Sequence, residues 1–169
     1  MKMHVDQRFS RVTLERFAAV YHSEEFNNAV APHTGMRSRK LVEETVGADG
    51  RRERRVRMEP DTKLPIAIQK VADSMTKGSI TYDEVSTYDP ATHTVSFRVD
   101  SKANDRLRMA GTIRFIADGD GVRRVIDADI EVKAPLLGGM IERFIEAETV
   151  KGYAKIATFF QKWLDDHPG

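Results

Sequence analysis

Apolar and polar residues alternate at the start of the chain. Met3, Val5, Gln7 and Phe9 fall on one face, and His4, Asp6 and Arg8 on the other, which is the period of a strand. The spacing then lengthens. Leu14, Phe17, Ala18 and Tyr21 recur at helical steps, with Ser10 or Thr13 placed to cap them. Arg16 stands where a capping box would want an acid, so the box is absent. A second short helix opens at Ser23-Glu24-Glu25, carries Phe26, Ala29 and Val30 on its apolar side, and stops at Pro32 and Gly35. Both helices are expected to pack under a sheet.

Residues 36–46 are strand-like, Gly47-Ala48-Asp49-Gly50 is a turn, and residues 51–59 return as a second strand. On that strand Arg52, Arg54, Val56 and Met58 share one face. The other face, Arg51, Glu53, Arg55, Arg57 and Glu59, is fully charged and must see solvent or a partner. Between 60 and 76, Ile68, Val71, Ala72 and Met75 follow a helical stripe behind Pro65, which predicts a short helix or lid. Strands follow at 79–88, 93–100, 107–117 and 122–133, joined by turns such as Asp89-Pro90-Ala91-Thr92 and Gly119-Asp120-Gly121, as in an antiparallel meander. Gly111 sits in mid-strand, where a curved sheet bends or a ligand comes close. From 135 to 164, Leu137, Ile141, Phe144, Ile145, Tyr153, Ile156, Ala157, Phe160 and Leu164 recur at three- and four-residue steps. A continuous helix there is about 40 Å long and must cross the whole sheet.

The order is strand, two short helices, about six antiparallel strands and one long helix. It predicts an α+β fold in which a curved antiparallel sheet of about six to seven strands surrounds a long C-terminal helix. No βαβ repeat exists, which argues against a parallel nucleotide-binding sheet. With 169 residues and no linker or repeat, residues 1–169 read as a single domain.

Composition narrows the chemistry. The absence of cysteine removes disulfides, thiolate nucleophiles and thiolate metal sites. The five histidines have no metal-ligand spacing, and neither the phosphate-loop nor the dinucleotide pattern is present, so no metal and no cofactor are expected. No carboxylate pair is placed as general acid and base, and no catalytic residue is assigned. A net charge of +1 gives no overall attraction to nucleic acid, which is not expected as a partner. The distribution is uneven. Residues 37–57 hold eight basic side chains against four acidic ones. The first residues lack the apolar core of a secretory signal, so a cytoplasmic location is expected.

A sheet wrapped around a long helix leaves room for a ligand among apolar side chains. The candidate lining residues are Phe17, Ile66, Ile68, Val71, Met75, Tyr82, Tyr88, Phe97, Met109, Ile113 and Phe144, with Phe9, Ile145 and Phe160 nearby in pattern. Glu148, four residues after Phe144, is either an interior polar anchor or the edge of the helical stripe. The loop of Leu136, Leu137, Gly138, Gly139 and Met140 is greasy and flexible enough to act as a gate or to touch a membrane. Arg52 and Arg54 are the candidates for an anionic headgroup. A buried arginine needs either an acid or such a ligand.

The segment Val132-Lys133-Ala134-Pro135-Leu136-Leu137-Gly138-Gly139, with a helix ending in Trp163-Leu164, resembles a bacterial, mostly actinobacterial, domain of unknown function. That branch lies in the START-like (SRPBCC) helix-grip superfamily, and the likeness covers nearly the whole chain in element order. Tyr82-Asp83-Glu84-Val85-Ser86 and the Asp89-Pro90 turn are similar, more weakly, to PRELI-like phospholipid-transfer domains. The resemblance implies a helix-grip fold with a hydrophobic tunnel and a role in binding or transferring a lipid-like molecule. The expected partners are therefore a hydrophobic small molecule or phospholipid, with transient contact to an anionic membrane surface. Two alternatives remain open. One is a protein-interaction module with a solid core. The other is a cyclase- or hydrolase-type enzyme using Glu148, Tyr82 or Tyr88 for proton transfer.

Overall fold

The first strand of the chain closes the sheet beside its last. In the computed structural model, which describes residues 1–61, 63–76, 80–101, 103 and 105–169 and the side chains of all of these but 75 and 76, β1 (Lys2–Phe9) pairs antiparallel with β7 (Gly121–Val132). The strands between them form a continuous meander: β2 (Met36–Val46), β3 (Arg52–Pro60), β4 (Tyr82–Asp89), β5 (Thr94–Ser101) and β6 (Leu107–Asp118). The result is one seven-stranded antiparallel sheet in the order β1-β7-β6-β5-β4-β3-β2. Two short helices, α1 (Leu14–His22) and α2 (Glu24–Val30), follow β1. A third helix, α3 (Ile66–Thr76), joins β3 to β4, and the long α4 (Gly138–Asp166) ends the fold. This is the α+β architecture that the residue pattern predicts and the helix-grip arrangement that the resemblance implies.

Local chemistry explains the boundaries. Thr13, rather than Ser10, caps α1, its hydroxyl accepting from the Arg16 amide at 3.2 Å. Ser23 both ends α1 and caps α2, accepting from the Phe26 amide. The long helix begins three residues later than the apolar spacing predicts. Leu136 adopts φ +64°, a left-handed conformation that an α-helix cannot contain, so residues 135–137 form a loop. Gly138 then packs so closely on β7 that a Cβ there would lie 2.5 Å from the Val132 carbonyl oxygen. Glu142 secures the same corner by accepting the Val132 amide at 2.9 Å. Of the strand expected at 79–88, Ser79 lies outside the described residues, and β4 begins at Tyr82.

The inner face of the sheet is covered unevenly. α4 rests on β7 and β1 and against α2, while α1 packs over β6 and β7. There the core is filled. Phe9, Phe17, Phe26, Phe115 and Phe160 form one aromatic cluster with ring centroids 4.3–5.2 Å apart, and Met3, Val122, Ile126 and Ile130 close around it. Burying such side chains contributes about 1.5–3 kcal/mol each and anchors this half of the molecule. On the inner face of β3 and β4, beside the buried Val56 and Met58, stand the polar groups described next.

Candidate functional site

Register lines up three rows across the free half of the sheet. Arg39 of β2, Met58 of β3 and Tyr82 of β4 form one row. Leu41, Val56 and Glu84 form the next, and Glu44, Arg54 and Ser86 the third. Alternation turns all of these to the same side as Tyr88, Val95 and Ile113, which is the core side. Val56, Met58 and Tyr88 are buried, while Arg39, Arg54, Tyr82, Glu84 and Ser86 keep some accessible surface. Tyr21, from the end of α1, and Tyr153, from the middle of α4, join them from the opposite wall and also keep accessible surface. These partly accessible groups gather where the inner face of β3–β4 meets α1 and α4, a region termed the recess below.

The electrostatics of the recess are those of a poorly solvated space. Burial pushes the Glu84 carboxyl up from its ordinary value, against the pull of Arg39 and Arg54. Burial likewise raises the phenols of Tyr21, Tyr82 and Tyr153, and the Glu84 charge raises each further. Among the described residues neither the Glu84 carboxylate nor the hydroxyls of Tyr21, Tyr82 and Tyr153 form a hydrogen bond, although the Glu84 charge reaches all three phenols. His22, whose ring lies tilted against that of Tyr88 with centroids 4.3 Å apart, has both ring nitrogens enclosed without a partner. Burial and the adjacent Arg54 and Arg52 lower its pKa to about 3, so it is neutral at neutral pH.

The cations differ in what holds them. Glu44 lies 2.9 Å from Arg52 and 3.0 Å from Arg54, although the Arg54 Nε is not aligned for a hydrogen bond. Arg124 of β7 is 1% exposed, donates to the Gln7 side-chain oxygen, and lies over the rings of Phe9 and Tyr153 at 5.3 and 5.5 Å. Gln7 in turn donates to the Tyr153 carbonyl, tying β1, β7 and α4 together. Arg39 forms no ion pair or hydrogen bond among the described residues.

The residues singled out from sequence divide among these regions. Phe17, Phe97, Ile113 and Ile68 are packed in the core. Val71, Met109 and Phe144 are partly buried against it. Tyr82 faces the recess. Tyr88 sits at its edge, its hydroxyl 2.9 Å from the His93 Nδ1. Ile66 begins α3 and is 79% exposed. The side chain of Met75 lies outside the described residues. Glu148 is at the edge of the α4 stripe, paired with Lys151 at 2.7 Å. In the loop, Leu136 is fully exposed, Met140 and Gly139 are exposed, Leu137 packs on the core and Gly138 is buried. Arg52 and Arg54 share the inner face as alternation predicts, and Glu44 is the acid they meet.

Sequence reading does not single out Glu84, Arg39, Tyr21 or Arg124. A signal existed for one of them. Glu84 is two residues from Tyr82 and therefore on the same face of β4. Arg39 precedes a register shift between Leu41 and Glu43, and that bulge breaks the alternation from which its direction could be read.

Residues 5–164 match the family model described as "Protein of unknown function (DUF2505)". The chain belongs to this family. A search of curated proteins returned no match. Among solved structures, the TTHA0849 protein of Thermus thermophilus aligns over 100% of both chains with a TM-score of 0.70 and 14% identity. The ZhuI aromatase/cyclase of Streptomyces sp. R1128 aligns over 96% of this chain and 95% of its own, with a TM-score of 0.64 and 15% identity. A START superfamily protein of Mycobacterium smegmatis aligns over 97% of both chains at 0.59 and 17%. At such identities the likeness is one of fold, and the fold of this DUF2505 member is START-like.

Proposed function

We propose that this DUF2505 protein binds a hydrophobic, lipid-like ligand in the recess between β3–β4 and α4, and carries or senses it. The observation behind this is the set of enclosed, accessible and unpartnered polar groups, Tyr21, Tyr82, Tyr153 and Glu84, opposite a half of the sheet that is packed solid. These groups reach water only through their remaining accessible surface, and the polar head of a ligand can replace that water. Apolar surface borders them. Met58, Met109, Phe144, Ile145 and Ile156 offer flexible or aromatic contacts for a tail. The exposed Leu136 and Met140, at the sheet end that also carries α3, fit a mouth that touches an anionic membrane surface during exchange.

Native mass spectrometry of the purified and delipidated protein, titrated with a panel of fatty acids, fatty alcohols and phospholipids, tests this. Stoichiometric one-to-one uptake of at least one class is expected. No uptake from any class would refute it.

Glu84 supports a second reading. A carboxyl whose pKa is raised by burial, beside three phenols, is placed to move a proton on a bound carbonyl compound. The aromatase/cyclase neighbour shows that this fold accommodates chemistry. Mass analysis of ligand recovered after incubation separates the two: an unchanged ligand supports the carrier, and an altered one the enzyme.

A further inference from the structure

The inner face offers four arginines to a ligand, and three are already engaged. Arg52 and Arg54 share Glu44, and Arg124 is held by Gln7 and two aromatic rings. Arg39 has neither an acid nor a hydrogen bond among the described residues. It is nevertheless largely enclosed, and the charges of Glu84 and Arg54 and the Tyr21 phenol all reach it. Glu84 is the nearest candidate counter-ion by topology, yet it stands on β4, two strands away and one inner-face row along. Two strands are about 9.6 Å apart, and no ion pair bridges them. A guanidinium and a carboxyl thus share one face of the sheet with no ion pair between them, and the Tyr21 phenol feels both charges.

We infer that Arg39, Glu84 and Tyr21 form a headgroup site at this gap, and that it takes the carboxylate of an amphipathic monocarboxylic acid. The inference rests on the ligand-binding reading above. A planar guanidinium matches a carboxylate through two parallel hydrogen bonds. The phenols supply donors for the remaining oxygen lone pairs, and Glu84 does so in its protonated form. One unpaired cation balances one negative charge. An amine would meet Arg39 and its two neighbouring arginines as like charges. The apolar body of the acid then extends along Val56 and Met58 toward Met109 and the exposed flank of α4.

The probes are dodecanoic acid, dodecanol, dodecyl phosphate and dodecylamine, which share one tail and differ at the head. Isothermal titration with the full chain is expected to give dodecanoic acid at least tenfold tighter than dodecanol. Arg39→Gln is expected to bring the acid down to the level of the alcohol while leaving the alcohol unchanged, and Arg39→Lys to retain part of the difference. Thermal unfolding of each variant checks that it folds; the comparison of acid with alcohol needs no variant. Equal affinity for acid and alcohol in the wild-type protein overturns the assignment while leaving ligand binding intact. So does a preference for the phosphate, or a preference that survives Arg39→Gln. If none of the four binds, the underlying ligand-binding reading falls with it.

Discussion

His22 shows how the recess shapes a single residue. Its ring is held between Tyr21 and Tyr88, its nitrogens lack partners, and two arginines stand near. Protonating it in the folded state would put a third positive charge in an enclosed space. Its pKa therefore falls from 6.5 to about 3. Above pH 6.5 both folded and unfolded chains keep it neutral, and its contribution to stability is complete. As the pH drops from 6.5 toward 3, the unfolded chain takes up a proton that the fold refuses, and stability declines by up to about 1.4 kcal/mol per pH unit. His22→Phe keeps a ring and removes the titration. Its melting temperature is expected to fall less steeply than that of the wild type between about pH 6.5 and about pH 4. Parallel slopes in scanning calorimetry would show that His22 does not carry the acid sensitivity.

At the scale of elements, Gly111 explains how the sheet holds its shape. It lies on β6 opposite Phe97 on one side and Ala128 on the other. A Cβ there would come within 2.1 Å of the Asp127 carbonyl oxygen and 2.8 Å of the Ala128 backbone. Only a residue without a side chain lets β6 and β7 approach at this point, so the strands coil inward around the helices. Gly111→Ala is expected to destabilise the fold by about 1–3 kcal/mol in urea denaturation, through forced backbone shifts. Ala110→Ser, on the outer face, is expected to change it by less than about 0.5 kcal/mol. Equal effects would mean that the close approach does not govern stability. Period-two alternation suffices to locate the inner faces of β1 and β3, and the three- and four-residue steps suffice for α1 and α4. What they miss depends on non-local geometry. The left-handed Leu136 delays α4, the bulge in β2 re-aims Arg39, and the pairing of β1 with β7 joins residues more than a hundred positions apart.

The whole molecule is asymmetric in a way that hydrophobicity does not reveal. Phe17, Phe97 and Ile113 pass for ligand contacts in sequence because an apolar residue signals burial, whether the neighbour is a ligand or another side chain. Burial against the aromatic cluster fills the β1–β7–β6 half. The β3–β4 half instead collects charge and phenols, and these are what mark the recess. Alternation puts Arg52 and Arg54 on the inner face of β3. It has no means of showing that Glu44, on the facing strand, satisfies them.

Methyl-labelled protein examined by solution NMR with dodecanoic acid bound tests the central claim directly. Nuclear Overhauser contacts from the acyl chain to the methyl groups of Met58, Met109, Ile145 and Ile156 are the expected result, with none to the exposed Ile116 or Val46. Contacts confined to surface methyls, with the interior ones unperturbed, would contradict a ligand site beneath α4.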